Sequence, residues 1–294
     1  MSRPHSVIFC GTPTFAVPSL TALAEDAAFT VSLVVTQPDK PAGRSRAPRA
    51  PAVKDAALSF GLPLFQPASL NHELLPFLRE RAIDAPDFLV VVAYGQILST
   101  DILTLPRIAP VNVHASLLPR WRGASPIEHA LLAGDTHTGV TIQRMVRALD
   151  AGPILTQDTI TIDTAGTSVE VRDTLSRLGA ILLARTLKAP LRETPQDDEL
   201  VTFCRKLSRE DGRADPERMN ADEIDRRVRA LVPWPGVMIT VDGQSLKLLK
   251  TSLIPHQEST PLICQYQTTL YLVTVQPPGK KPMSGAEWRR GRSH

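Results

Sequence analysis

Short apolar segments alternate with helix-like segments through the first two-thirds of the chain, and few folds accommodate such a pattern. The apolar segments predict strands at 6–10, 30–36, 87–94, 109–114 and 139–145. Helical spacing occurs between them at 14–26, 51–61 and 73–83. Apolar runs rich in β-branched residues are typical of strands buried on both faces of a parallel sheet. The pattern predicts an α/β domain with a Rossmann-like, doubly wound sheet, whose ligands bind at the carboxyl ends of the strands.

The last third of the chain is predicted to form a second, smaller domain. An amphipathic helix at 167–189 ends the first domain, and the segment after it is rich in proline and acidic residues without periodicity. A capped helix then precedes Pro233, and short strands are predicted at 237–241, 244–254, 261–266 and 270–275. We therefore expect a first domain at 1–189, a linker at 190–207 and a C-terminal β-barrel-like domain of the OB type at 208–294.

The composition is that of an ordinary globular protein, with 43% hydrophobic and 21% charged residues. No apolar run approaches the roughly 20 residues that cross a bilayer, so we expect no membrane partner. Cys10, Cys204 and Cys264 are odd in number and far apart, and the histidines are scattered. We therefore predict that the protein binds no metal and lies in the reducing cytoplasm.

Charge is distributed unevenly along the chain, although the net charge is only +3. From Gln244 to His294 seven lysines and arginines face two acidic residues, which gives this segment a net charge of +5. A basic surface of this kind can bind the phosphates of a nucleic acid, because phosphate contacts supply most non-specific affinity. It can equally be a solvated basic face, and charge alone leaves both interpretations open.

The turn after the first predicted strand argues against a dinucleotide cofactor. It reads "GTPTFAVPSL", with Gly11 alone where a dinucleotide-binding turn has the pattern G-x-G-x-x-G. Without the second and third glycines, the backbone cannot approach a pyrophosphate closely. We therefore predict that the protein binds neither NAD nor FAD.

The predicted strand at 109–114 ends in two polar side chains that suit oxyanion stabilisation and proton transfer. Asn112 and His114 are two residues apart and therefore share one face of the strand. An amide can donate a hydrogen bond to a developing oxyanion, and a histidine can transfer a proton near neutral pH. Asp150, in an Asp-Ala-Gly-Pro turn after the strand at 139–145, is the candidate that would orient the imidazole. An Asn-x-His strand end or an Asp-Ala-Gly turn alone is more often structural. The prediction of a catalytic site therefore rests on the occurrence of both.

Two long segments around these residues carry a family resemblance. "NVHASLLPRWRGASPI" and the downstream "GVTIQRMVRALDAGPIL" closely resemble the signature of the folate-dependent formyltransferases. The flanking segments "VVTQPDKPAGR", "VVVAYGQIL", "TFCRKLSREDGR" and "VQPPGKKPMS" are similar to the branch of that family that acts on methionyl-tRNA. The similarity covers nearly the whole chain. The segment between "KTSLI" and "VQPPGKK" is shorter than the family pattern, which predicts an abbreviated C-terminal domain.

The resemblance implies a donor, an acceptor and a set of site residues. The donor would be 10-formyltetrahydrofolate, and the acceptor would be the α-amino group of initiator methionyl-tRNA. Asn112, His114 and Asp150 match the catalytic trio of the family. The folate pocket would be formed by Val92, Ala93, Tyr94, Gly95, Ile97, Ser116, Leu117, Leu118, Pro119, Arg147, Ala148 and Leu149. The tRNA would be contacted by Lys40, Arg44, Arg46, Arg49, Lys280 and Lys281. We expect the first domain to be catalytic, the C-terminal domain to bind tRNA and the enzyme to be monomeric.

Two alternatives stay open at the level of sequence. The chain could be a formyltransferase or formyl-folate hydrolase with another acceptor, against which the loop at 36–49 and the basic C-terminal segment argue. It could also be a non-catalytic RNA-binding protein on the same scaffold, against which the presence of Asn112, His114 and Asp150 argues. Arg120 and Arg122 follow the Asn-x-His strand, and we expect them to face either tRNA phosphate or water.

Overall fold

The computed structural model describes residues 3–42 and 47–291. In chain order the strands of these residues are β1 (His5–Gly11), β2 (Phe29–Val35), β3 (Lys40–Ala42), β4 (Ala47–Arg49), β5 (Leu64–Phe65), β6 (Phe88–Val92), β7 (Ala109–His114), β8 (Arg122–Gly123), β9 (His137–Arg144), β10 (Ile154–Thr161), β11 (Phe203–Cys204), β12 (Val237–Val241), β13 (Gln244–Ser252), β14 (Thr260–Ile263), β15 (Thr269–Gln276) and β16 (Met283–Ser284). The α-helices are α1 (Val17–Glu25), α2 (Ala52–Ser59), α3 (Leu70–Glu80), α4 (Thr100–Leu103), α5 (Pro126–Ala133), α6 (Ser168–Leu187), α7 (Ala221–Ala230) and α8 (Gly285–Arg290).

The chain divides into two compact units that are not continuous in sequence. The first consists of Met1–Gly123, Gly139–Ile160 and Arg172–Phe203, and the second consists of Ala124–Thr138, Thr161–Val171 and Cys204–His294. Two short segments that precede the predicted linker therefore belong to the second unit. The functional division at residues 189 and 207 stays a prediction.

The first unit is built on a seven-stranded sheet with the order β10-β9-β7-β6-β1-β2-β5. The predicted α/β sheet is confirmed, because β7, β6, β1, β2 and β5 pair in parallel. One neighbour differs from the predicted parallel pattern: β9 runs antiparallel to β7, with His114 opposite Thr141 and Val111 opposite Arg144. The direction of β9 decides where the loop that carries Asp150 leaves the sheet.

The helices of this unit follow from the spacing of their leucines. In α3, Leu70, Leu74 and Leu78 recur every four residues and are all buried, so they form one face against the sheet. This helix begins three residues before the predicted segment. Pro76 lies on its exposed side. The leucine face packs with Ile8, Leu33 and Leu89 of the sheet in one apolar cluster.

The second unit contains an antiparallel sheet with the order β12-β13-β15-β14. The four strands predicted here are confirmed, and β12 has the predicted bounds of 237–241. A further strand, β16, pairs with the distal part of β15 beyond β14. Helix α7 begins in a capping box between Asn220 and Glu223 and packs against α5. The strand-rich unit fits the expected barrel-like domain.

Membrane-spanning helices and metal-binding clusters are both absent from the part of the chain that the structure describes. None of the helices found there combines the length and the apolar character that crossing a bilayer requires. Residues 3–42 and 47–291 contain no grouping of three or more His, Cys, Asp or Glu side chains that could hold a metal ion.

Candidate active site

His114 is the last residue of β7, and its imidazole is buried between two oxygen atoms. Its Nε2 lies 2.9 Å from the carbonyl oxygen of Trp121. Its Nδ1 lies 3.7 Å from Oδ1 of Asp150, and both side chains are only 7% exposed. A carbonyl oxygen can only accept a hydrogen bond, so Nε2 is the donor in the contact with Trp121. The structure therefore brings together the predicted histidine and aspartate.

Asp150 reaches His114 on a loop that turns back along the sheet after β9. Because β9 is antiparallel to β7, the loop after β9 leaves the sheet beside Pro110, whose carbonyl accepts from the amide of Met145 at 2.9 Å. The loop then turns back, and the amide of Arg144 donates to the carbonyl of Pro153 at 3.0 Å. The return of the loop, and not the end of β9, places Asp150 at the site.

The Asp150 carboxylate is fixed by donors from two other segments. The amide of Gly123 donates to Oδ2 at 2.9 Å, and Nε2 of Gln143 donates to Oδ1 at 3.1 Å. The backbone of Asp150 is in the left-handed region, with φ of 50°. Aspartate and asparagine tolerate this region better than most other residues with a side chain. The carboxylate therefore has a defined orientation toward the imidazole.

Asn112 and Gln143 are opposite each other on β7 and β9. Asn112 is half-buried on the same face as His114, two residues before it. Gln143 is 1% exposed, and its Oε1 has no hydrogen-bond partner among the described residues. Sequence reasoning missed Gln143, although a glutamine within a buried strand was a signal that this position contacts another polar group.

Polar side chains fix the loop that follows β7, one of them buried and one half-buried. Thr141 donates from Oγ1 to the carbonyl of Ser116 at 2.7 Å and accepts from the amide of Leu118 at 3.0 Å. Gln157 donates to the carbonyl of Leu118 at 2.8 Å. Of the predicted folate residues in this loop, Ser116 and Leu118 are buried, while Leu117 and Pro119 are half-buried.

The other predicted folate residues lie in the loops after β6 and β9. Val92 and Tyr94 are buried, and burial raises the pKa of the Tyr94 phenol. Ala93 and Gly95 are exposed, as are Arg147 and Ala148. Ile97 is 77% exposed and Leu149 is 62% exposed. Each loop thus presents an exposed aliphatic side chain that is not used in the core.

Comparison with known families agrees with this geometry. The sequence model described as "Formyl transferase" matches residues 5–187, and the model described as "Formyl transferase, C-terminal domain" matches residues 206–293. The chain belongs to the formyltransferase family. The first match contains the whole of the His114–Asp150 site.

Relatives of this formyltransferase are similar to it over nearly its whole length. It is 42% identical to the methionyl-tRNA formyltransferase of Methylococcus capsulatus over 96% of this chain and 95% of the relative. It is 43% identical to the methionyl-tRNA formyltransferase of Nitrosospira multiformis over 98% and 96%. An N-formyltransferase from Helicobacter canadensis, solved with folinic acid and dTDP-3-aminofucose, has the same fold with a TM-score of 0.67, 13% identity and coverage of 92% and 98%.

Two of the residues predicted to contact tRNA in this formyltransferase lie on the hairpin β3–β4. Lys40 and Arg49 are exposed and directly opposite each other. Arg44 and Arg46 lie outside the described residues. Asp39, the only acidic residue of the segment 36–49, accepts from Lys54 at 2.7 Å. The Lys54 and Gln66 hydrogen bonds hold the pKa of Asp39 below its usual range. Asp39 is thus engaged with Lys54.

The remaining basic residues have different surroundings. Lys280 and Lys281 are exposed and follow the turn after β15, where the amide of Lys280 donates to the carbonyl of Pro277 at 3.1 Å. The guanidinium of Arg120 lies 4.5 Å from the centre of the Trp121 ring. Arg122 is 7% exposed, so the expectation that it faces tRNA or water is wrong. Its Nε donates to Oε1 of Gln196 at 2.9 Å, which compensates for its burial.

Proposed function

We propose that this formyltransferase transfers the formyl group of 10-formyltetrahydrofolate to the α-amino group of initiator methionyl-tRNA. The observation that carries the proposal is the buried His114–Asp150 pair, 3.7 Å apart, at the end of the strand that holds Asn112. The pair lies in a chain that resembles methionyl-tRNA formyltransferases over nearly its full length. An RNA-binding protein without activity has no need for a buried and oriented His–Asp pair of this kind.

The first step needs stabilisation of negative charge on oxygen. The neutral amine attacks the formyl carbon, a C–N bond forms, and the formyl oxygen becomes negative. The Asn112 amide can donate an N–H to this oxygen, and the positive charge of a His114 imidazolium on the same face of β7 would stabilise it electrostatically. Such donors are most effective in a site that excludes water, and His114 is 6% exposed.

The second step moves two protons. The attacking amine loses a proton, which Asp150 accepts directly or through water. The bond between the formyl carbon and the folate nitrogen breaks, and His114 or the same water returns a proton to that nitrogen. Nε2 of His114 donates to the Trp121 carbonyl, while Nδ1 lies 3.7 Å from the Asp150 carboxylate, so Nδ1 is the ring nitrogen that can exchange a proton at the site.

The formyl donor would be held by the loops after β6, β7 and β9. Exposed Ile97 and Leu149 offer apolar walls, and the exposed backbone at Ala93 and Gly95 offers donors and acceptors for a pterin ring. Bound there, the folate supplies an activated formyl group. The residues of this chain then orient the acceptor amine and move its proton.

The hairpin β3–β4 would contact the tRNA. Like charges directly opposite each other on neighbouring strands destabilise a hairpin, and Lys40 and Arg49 are placed in this way. The energetic cost is removed when a phosphate lies between or beside them. Asp39 does not offset their charge, because it pairs with Lys54. The arginines at 44 and 46 would add to the same basic segment.

We also propose that the enzyme acts as a monomer in the cytoplasm. All residues of the proposed catalytic trio come from one compact unit of one chain. Cys10, Cys204 and Cys264 are buried free thiols, which suits a reducing compartment.

The test is transfer of labelled formyl from 10-formyltetrahydrofolate to methionyl-tRNA by the purified protein. The expected result is label on the amino group of charged initiator tRNA and none with uncharged tRNA or free methionine. Release of labelled formate at the same rate without an acceptor would identify a hydrolase instead. Salt-sensitive tRNA binding without binding of the folate would identify a non-catalytic RNA-binding protein.

A further inference from the structure

The segment 194–202 is part of the predicted linker, yet it is bonded to both loops of the candidate active site. It has no helical or strand periodicity, and most of its side chains are exposed. Within the first unit it nevertheless makes several hydrogen bonds to the loops that carry Asp150 and support His114. We call residues 194–202 the strap.

At one end the strap holds the loop that carries Asp150. Thr194 and Ile154 exchange two backbone hydrogen bonds, of 2.8 and 2.9 Å. Nε2 of Gln196 donates to the carbonyl of Asp150 itself at 2.8 Å and to the carbonyl of Gly152 at 2.7 Å. Because the Asp150 backbone is in the left-handed region, external bonds are needed to hold it there.

At the other end the strap holds the loop that supports His114. Trp121, whose carbonyl accepts from the imidazole, donates from its own amide to Oγ1 of Thr202 at 2.8 Å. The amide of Arg122 donates to the carbonyl of Thr202 at 2.8 Å. Thr202 therefore fixes the peptide that orients His114.

Arg122 connects the two ends. Its Nε donates to Oε1 of Gln196, so the same amide that binds the Asp150 loop also binds the His114 loop. Its guanidinium lies 3.5 Å from the exposed carboxylate of Asp198, which is also part of the strap. The buried arginine thus has partners on the strap for both its charge and its hydrogen-bonding capacity.

We propose that Gln196 and Thr202 are positioning residues that set the distance and orientation between Asp150 and His114. Neither is proposed to touch a substrate, and each acts through a backbone group of a loop at the site. The inference rests on the proposed catalytic role of His114 and Asp150. Removal of either strap side chain should therefore lower turnover more than substrate binding.

The first test replaces Gln196 with methionine, which keeps the length of the side chain and removes its hydrogen bonds. We expect kcat to fall about 10- to 100-fold, the range typical when a residue that orients a functional group is lost, with both KM values changed less than about twofold. Glu199→Gln, at an exposed position of the same strap, is the matched control and should keep wild-type kcat. Wild-type turnover in Gln196→Met, or a loss expressed only in KM, would overturn the proposal.

A double-mutant cycle separates positioning from a general structural role. In an Asp150→Asn background, Gln196→Met should cost less than about twofold in single-turnover rate, because residues that act as a unit are not additive. A full additive loss would show that Gln196 does not act through Asp150. If Asp150→Asn alone retained normal turnover, the proposed function of Asp150 would fail, which is distinguishable from failure of the strap.

Thr202 gives a second pair of variants in case Gln196→Met does not fold. Thr202→Val removes the hydroxyl at nearly constant volume, and Thr202→Ser keeps it. We expect kcat to fall about 10-fold in Thr202→Val and to be restored in Thr202→Ser, since a positioned donor or acceptor is commonly worth this much. Loss of turnover in Thr202→Ser with normal turnover in Thr202→Val would overturn this role, because it would show that the methyl packing matters and not the bond to Trp121.

Discussion

The side chain of Gln143 donates from Nε2 to Oδ1 of Asp150 at 3.1 Å. This oxygen is the one that faces the imidazole of His114. The opposite end of the Gln143 amide is buried, and its Oε1 has no hydrogen-bond partner among the described residues. A buried polar atom without a partner costs stability, so Gln143 contributes orientation of the carboxylate at the expense of stability.

Replacement of Gln143 by methionine should lower activity with little effect on stability. The variant loses the bond to Asp150 and also the buried oxygen, so the two effects on the free energy of unfolding oppose each other. We expect kcat to fall about 10-fold, while the thermal midpoint shifts by only a few degrees. Steady-state kinetics and thermal denaturation of the same preparation measure both. A large drop in thermal midpoint with unchanged kcat would contradict this role.

Loss of His114 or Asp150 should lower turnover much further. His114→Ala removes the proton donor and Asp150→Asn removes the proton acceptor, and each should reduce kcat by about 10²- to 10⁴-fold. Asparagine is the suitable replacement at 150 because it tolerates the left-handed backbone found there. Removal of the Asn112 amide should cost about 10²- to 10³-fold. Near-normal turnover of Asp150→Asn, with tRNA and folate binding intact, would exclude the assigned mechanism.

The parts of this site that the sequence predicts are those set by local pattern. β1, β2, β6 and β7 follow from β-branched apolar runs, and the shared face of Asn112 and His114 follows from strand periodicity. The direction of β9 is set by pairing with β7, which no local pattern specifies. The approach of Asp150 from a returning loop was therefore not predictable, although the residue itself was.

Arg122 and Gln196 show a second reason for the limits of sequence reasoning. An arginine in a loop with glycine, tryptophan and proline is typical of a surface. Arg122 is nevertheless only 7% exposed, because Gln196 and Asp198 lie against it. These partners are more than 70 residues away in a segment without periodicity. Hydrogen bonds from a side chain to loop carbonyls produce no periodic sequence pattern. The sequence therefore predicts the strap only as part of a linker.

Lys40 and Arg49 of the hairpin should affect the KM for charged tRNA and not the KM for folate. The double variant Lys40→Ala/Arg49→Ala removes the opposed cations, and we expect KM for charged tRNA to rise about 10-fold with an unchanged folate KM. The dependence of tRNA affinity on salt should become less steep by about one unit per lost phosphate contact. Arg177→Ala, an exposed arginine on α6 paired with Asp173, serves as control. Equal effects on both substrates would argue for a structural role of the hairpin.

Asp211 should give the second unit a stability that depends on pH. The Arg205 guanidinium, hydrogen-bonded to Asp211, holds the pKa of that carboxyl well below its usual range. The stabilisation is therefore complete above the unfolded pKa of about 4 and is lost as the pH falls toward the lower folded value. We expect Asp211→Asn to be less stable by about 1–3 kcal/mol at pH 7, because a charged hydrogen bond is lost. The difference in thermal midpoint from wild type should narrow steadily below about pH 4. A difference that stays constant from pH 7 to pH 3 would contradict the assignment.

Gly152, in the loop that carries Asp150, should be required because its backbone passes close to the carbonyl group of Arg144. A Cβ added at this residue would lie 1.8 Å from the carbonyl oxygen of Arg144, well inside contact distance. Gly152→Ala must therefore move the turn away from β9, and Asp150, two residues earlier, moves with it. We expect kcat to fall about 10²-fold or more, because a displacement of about 1 Å at a catalytic group has this effect. All three side chains of the proposed trio remain present in this variant, so the measurement isolates geometry from chemistry. Activity close to wild type would mean that the turn relaxes without carrying Asp150 away from His114.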